Sequence, residues 1–280
     1  FLIEESALRE IVKSATIKKG DRVLEIGPGL GVLTRALISA GAEVTAVERD
    51  KRFVDYLKNP PLSLRGGKEG IVKNDPTASN SPLNQGGGST VIQGDAVKLD
   101  WGEIVKNSPL GSRGAGGFKS WKMVSNLPYA ITSLAIRKAL WCESPPERVV
   151  VLIQREVAER ILAHDKKQSL LSLMVGFSCS SVKRVKNVAR GAFYPPPKVE
   201  SAILQMIPMS WPDRQQKWGA HPDEIMAVAK RGFAHPRKML ASNLKISKES
   251  LEAVGIPGKS RAEDLAPHDW VKILSLRETK

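Results

Sequence analysis

The stretch "DRVLEIGPGLGVLTRALISAGAEVTAVERD", residues 21–50, decides the fold. Residues 21–31 read as a short buried strand running into a glycine turn. Residues 32–41 carry the apolar period of a helix and end on Gly41, a residue suited to a C-cap. Residues 42–50 are β-branched and apolar, which predicts a second strand. Strand, helix and strand at this spacing imply a parallel sheet, and such sheets bind ligands at the carboxyl ends of their strands.

The alternation continues outward. A helix is predicted over 51–58, with strands over 90–95, 121–126 and 148–154 and helices over 133–141 and 155–163. Residues 169–178 read as a buried helix. Residues 182–190 and 200–209 alternate as strands on either side of "GAFYPPPKV", which predicts an antiparallel finish to the sheet. From residue 211 onward only short helical patterns remain. Two domains are expected, 1–210 and an all-α 211–280, with 59–90 and 107–118 as flexible insertions rich in Pro, Gly, Ser and Asn.

Composition narrows the function. Forty-three Lys and Arg against twenty-nine Asp and Glu leave a net charge of +14, which favours a polyanionic partner through counterion release. No apolar run reaches the roughly 18 residues that a membrane span needs, so no membrane partner is expected. Cys142 and Cys179 lie far apart in apolar segments and fit reduced core residues of an intracellular protein. Four scattered His residues without close Cys or His partners argue against a metal site. The chain opens on "FLIEES" without an initiator Met or a signal-like segment, so further residues are expected upstream.

Polar residues stand at the predicted strand ends. Gly27, Gly29 and Gly31 follow the first strand and let backbone approach a ligand, but Val32 breaks the dinucleotide fingerprint G-x-G-x-x-G. Glu48 ends the second strand, where a carboxylate can accept from two ribose hydroxyls. Asp95 ends the third and can hold an adenine amino group. Asn126 ends the fourth, in "VSNLPY", directly before Leu127, Pro128 and Tyr129. Each residue alone would read as a cap or turn; together they point to a nucleoside pocket. Two basic runs, Lys183, Arg184, Lys186 and Arg190, then Lys230, Arg231, Arg237 and Lys238, fit phosphate contacts to structured RNA better than two merely solvated faces.

The segments "VLEIGPGLGVLT", "AVERD", "QGDAV", "VSNLPY", "AFYPPPKVESAIL", "FAHPRKMLASNL" and "RAEDLAPHDW" occur in the order of one family. The chain resembles the small-subunit ribosomal RNA adenine dimethyltransferases, whose loss gives kasugamycin resistance in bacteria. The resemblance implies a Rossmann-like class I methyltransferase domain with an antiparallel last strand, plus a small all-α C-terminal domain. It implies S-adenosylmethionine as cofactor, with Leu2, Gly27, Gly29, Glu48, Asp95 and Asn126 around it. Asn126, Leu127, Pro128 and Tyr129 would form the catalytic motif. The Asn126 side chain and the Pro128 carbonyl would accept the hydrogens of the target amine. Tyr129 and Phe193 would face the flipped base from two sides, core packing being the alternative for Phe193. Arg231, Arg237 and Lys238 would contact RNA. The polar residues that precede Phe1 in the family have no counterpart here. The implied partners are small-subunit rRNA and the immature small ribosomal subunit, met by a monomer in the cytoplasm or in an organelle. Two rivals are a macrolide-resistance-type methylase of large-subunit rRNA and a non-catalytic assembly or organellar transcription factor.

Overall fold

A computed structural model of the chain describes residues 1–59, 89–106, 120–162 and 167–276. The expected insertions 59–90 and 107–118 lie almost wholly outside the described residues. Seven strands form one sheet: β1 (Arg22–Ile26), β2 (Glu43–Glu48), β3 (Ser89–Gln93), β4 (Trp121–Asn126), β5 (Arg148–Gln154), β6 (Cys179–Val188) and β7 (Ser201–Pro208). Their order is β3-β2-β1-β4-β5-β7-β6. Strands β1 to β5 pair in parallel and β7 runs antiparallel to β5, the expected finish.

The helices are α1 (Glu5–Ala15), α2 (Val32–Ser39), α3 (Lys51–Lys58), α4 (Trp101–Lys106), α5 (Thr132–Leu140), α6 (Arg155–Ile161) and α7 (Leu170–Ser178). Beyond β7 come α8 (Trp211–Trp218), α9 (Pro222–Gly232), α10 (Leu240–Leu244), α11 (Lys248–Ala253) and α12 (Pro267–Ser275). The expected helix over 32–41 ends two residues early, and Gly41 instead turns the chain into β2 at a φ of +98°. Helix α1 was not anticipated, although Ala7, Leu8, Ile11 and Ala15 give it a buried stripe at helical spacing. That stripe joins Leu33, Leu37, Val124 and Val150 in the core on one face of the sheet.

The chain groups into two compact units, Phe1–Ala158 with Val182–Ile207, and Glu159–Ser181 with Pro208–Lys280. The sequence reading placed a single division near 211; residues 159–181 instead group with the C-terminal helices. Inside this second unit the Phe177 and Trp218 rings meet edge to face at 5.0 Å, and Trp218 Nε1 donates to Phe177 O at 3.1 Å. Helix α7 is thus bound to α8 by an aromatic pair and a buried donor.

Within the first unit, strand order creates the site. β1 lies between β2 and β4, so crossovers leave it in opposite directions and a crevice opens at the carboxyl ends of β1 and β4. Their ladder runs only from Arg22↔Trp121 to Leu24↔Met123. Past it the strands are joined by a side chain, as the buried Ser125 Oγ donates to Ile26 O at 2.6 Å. Ser125→Ala should therefore lower stability by about 1–3 kcal/mol, because Ile26 O loses this donor inside the core. Chemical denaturation measures it, and an unchanged midpoint would show that this bond does not hold the strands.

Candidate active site

The glycine turn is shaped by contacts that exclude any other residue. Gly27 has φ +68°, and a Cβ there would lie 2.9 Å from Pro128 Cγ. Gly29 has φ +55°, and a Cβ there would lie 2.8 Å from the Phe1 ring. Both positions thus need a residue that accepts positive φ and adds no bulk. The turn is anchored to β2, since Gly27 N donates to Val47 O at 2.9 Å. Glu48 closes β2 with its side chain buried. One carboxylate oxygen accepts from Gly29 N at 3.2 Å and the other from Asp50 N at 2.8 Å. The carboxylate is oriented by backbone, and each oxygen keeps a lone pair for a further donor.

Across the crevice, β4 delivers Asn126, half-buried. Among the described residues no side chain or backbone group hydrogen-bonds its amide. Leu127 follows, 1% exposed, its N–H donating to Leu152 O at 3.1 Å. Leu127 is therefore an anchor that fixes the residues on either side of it. Pro128 O accepts from Ile131 N at 3.1 Å and from Thr132 Oγ1 at 3.4 Å. The Tyr129 hydroxyl lies 2.8 Å from Ser201 Oγ on the first residue of β7, and Ser201 is fully buried. That bond fixes the direction of the tyrosine ring.

A cavity of about 300 Å³ joins these groups. Leu2, Gly27, Gly29, Asn126, Leu127, Pro128, Tyr129 and Phe193 all line it. Phe193 is only 7% exposed and bridges to Leu2 in an antiparallel pair, so most of its ring is core packing. Glu48 does not line the cavity and reaches it through Gly29. Asp95 lies outside it, on the loop after β3, where its carboxylate caps Val97 N at 3.0 Å. Sequence reasoning gave no role to Ser201, Phe1 or Glu25. Only Glu25 carried a signal, an acidic residue inside a buried apolar strand. Arg231, Arg237 and Lys238 belong to the second unit, exposed around the turn after α9. Asn243 Nδ2 braces that turn by donating to Gly232 O at 2.6 Å and His235 O at 3.0 Å.

In a chain of net charge +14, none of the described residues lining the cavity is Lys or Arg. A phosphate-bearing ligand would be poorly served there, whereas a nucleoside without phosphate can lie on the glycine turn, with the Glu48 carboxylate behind Gly29. The sheet order and the site together define a class I methyltransferase. The model of the ribosomal RNA adenine dimethylase family matches residues 1–278, and the chain belongs to that family of S-adenosylmethionine-dependent rRNA adenine methyltransferases.

The chain is 34% identical over 289 residues to the ribosomal RNA small subunit methyltransferase A of Dehalococcoides mccartyi, covering 100% of this chain and 86% of that protein. It is 32% identical to the protein of the same name from Nostoc sp., covering 99% and 94%. Among solved structures, a dimethyladenosine transferase from Plasmodium falciparum aligns with a TM-score of 0.68 at 24% identity, covering 100% and 97%. The 23S rRNA methyltransferase ErmE aligns at 0.65 and 20%, covering 99% of each chain. These two structures share the fold.

Glu25 is the one titratable cavity residue whose proton affinity is strongly displaced. It is 1% exposed, and burial pushes its carboxyl up from 4.5 to about 8, against the opposing bond donated by Thr34 Oγ1 at 2.6 Å. Between those values the unfolded chain has released this proton and the folded chain keeps it. The stability it contributes is thus complete below the unfolded value and is lost as pH rises through about 8. Glu25→Gln keeps an acceptor for Thr34 and removes the titration. Urea denaturation from about pH 5 to 8.5 should show a shallower fall in stability for the variant than for the parent. Parallel curves would mean that Glu25 is ionised throughout.

Proposed function

We propose that the chain dimethylates the exocyclic amines of two neighbouring adenosines in small-subunit rRNA. The observation that carries this is the unengaged Asn126 amide at the cavity, beside the Pro128 carbonyl and the Tyr129 ring. Leu2, Gly27, Gly29, Glu48, Asp95 and Asn126 would hold S-adenosylmethionine, Glu48 at the ribose hydroxyls and Asp95 at the adenine amine. When bound, the cofactor supplies an electrophilic methyl group on a sulfonium.

The protein's part is positioning and electrostatics. An adenine amine is a weak nucleophile because its lone pair is delocalised into the ring. Asn126 Oδ1 and Pro128 O accept its two hydrogens and favour a tetrahedral nitrogen. Pro128 O already serves Ile131 N, and its contact with Thr132 Oγ1 is long, so Asn126 carries the larger share. Tyr129, fixed by Ser201, stacks on the flipped base, and the uncovered edge of Phe193 bounds its other side. The amine proton leaves to water after transfer. Exposed Arg231, Arg237 and Lys238 contact RNA phosphates from the helical unit.

The names of the relatives in Dehalococcoides and Nostoc support the small subunit as target over the large one. The substrate is the immature small subunit, met by a monomer in the cytoplasm. None of the described helices is long and apolar enough to cross a membrane.

The test incubates the chain with labelled methyl donor and a mixture of immature small subunits and large-subunit rRNA, then maps the modified bases. Label on two adjacent adenosines is expected; label confined to large-subunit rRNA would overturn the reading. Asn126→Ala should lower the single-turnover rate at saturating RNA by about 10²–10³-fold, the usual loss for one preorganised electrostatic contact. Replacing Arg231, Arg237 and Lys238 together by Ala should reduce the log–log salt slope of RNA binding by roughly two to three units and leave cofactor affinity unchanged. An unaltered slope would make that turn a solvated face.

A further inference from the structure

The wall of the cavity that carries Phe193 is an irregular segment with a cis Tyr194–Pro195 peptide, and its residues differ in exposure. Phe193, Pro195 and Pro197 line the cavity, whereas Tyr194 does not, and its residue is 70% exposed. Isolated exposed apolar groups are ordinary, so exposure alone decides nothing. Three further observations bear on Tyr194. Its backbone is clamped at both polar groups, the N–H donating to Phe1 O at 2.8 Å and the carbonyl accepting from Phe1 N at 2.7 Å. The ring therefore rises from a fixed base and not from a loose loop. Arg190 and Lys198 flank it in sequence, both exposed, and the side chain of neither is engaged by another described residue. The acidic neighbour Glu200 is already paired with Arg155, at 2.5 Å. An exposed aromatic ring on a clamped backbone, with an available cation four residues away on either side in the chain, offers an unpaired nucleotide both stacking and phosphate contact.

We propose that Tyr194 is a second base-binding site, outside the catalytic cavity, which stacks the nucleotide next to the target adenosine. This rests on the RNA reading above. A base drawn into the cavity leaves its neighbour at the rim, unstacked on one side. Phe193 lines the cavity and Tyr194, next to it in the chain, is exposed, so the exposed ring stands beside the cavity wall. Arg190 and Lys198 then meet the phosphates that flank the two bases. The site selects an unpaired nucleobase by its π-face, without preference for its edge. It holds one of two adjacent adenosines while the other is methylated.

The experiment uses the full chain, immature small subunits, and a short RNA hairpin with two adjacent loop adenosines. A second hairpin has an abasic residue beside the target. Tyr194→Ala should weaken binding of the intact hairpin by about five- to a hundredfold. It should leave cofactor affinity and the single-turnover rate at saturating RNA unchanged, and Tyr194→Trp should restore binding. On the abasic hairpin, parent and Tyr194→Ala should bind alike, because the stacked base is missing in both cases. Equal binding of the intact hairpin by parent and variant would overturn the proposal, as would the same loss on both hairpins. In either case the parent would still methylate small-subunit rRNA, so the rRNA reading would stand. A parent that methylates no small-subunit adenosine removes that reading and this one together.

Discussion

The end of the β1–β4 backbone ladder at Leu24 and Met123 is the constraint on which the site depends. While the ladder continues, backbone groups satisfy one another and no ligand can enter. Once it stops, the strand ends must find other partners. Ser125 meets Ile26 O, Gly27 N meets Val47 O, and Leu127 N meets Leu152 O. Every one of these bonds ties a strand end to a neighbour while leaving the crevice between them open. Gly27 can then lie against Pro128 with no room for a Cβ, which brings the glycine turn and the Asn126–Tyr129 segment into contact. A larger residue at 27 would push the two apart, so the narrowness of the crevice and its chemistry share one cause.

Charge is arranged on the same logic. The cavity has one carboxyl, that of Glu25, and no Lys or Arg among its described lining residues, while unengaged Arg and Lys side chains stand on exposed segments of each unit. A nucleoside and a polyanion can be bound by one chain without competing, because the cavity lining holds no Lys or Arg to attract phosphate and the exposed segments do. Glu25 illustrates the cost of such a cavity. Its carboxyl is desolvated enough to keep its proton near neutrality, and Thr34 provides its compensating hydrogen bond.

The aromatic residues divide by what fixes them. Tyr129 is held through its hydroxyl, Phe193 by burial beside Leu2, and Tyr194 only through its backbone. A ring held at its tip keeps one orientation and suits a base that must be placed accurately. A ring held at its base stays free to meet a flexible strand.

Much of this was legible in the residues. Apolar periods located the strands and most helices, because burial of a regular element writes its own spacing into the chain. The glycine turn and Asn126, singled out as strand-end residues, do line the cavity, since short-range order fixes which residues terminate elements. Helix α1 was written in the same code at Ala7, Leu8, Ile11 and Ala15 and was passed over. What only the tertiary structure decided is which distant groups meet. Tyr129 and Ser201 are 72 positions apart, and Ser125 reaches Ile26 across 99. Residues 159–181 join the helical unit although they precede the last two strands in the chain or, at 179–181, begin one of them. Glu48 and Asp95 read alike in the sequence, yet neither lines the cavity and only Glu48 reaches it, through Gly29. Periodicity reports only that a side chain is buried. Which partner it is buried against depends on strand order and on packing between segments that share no local pattern.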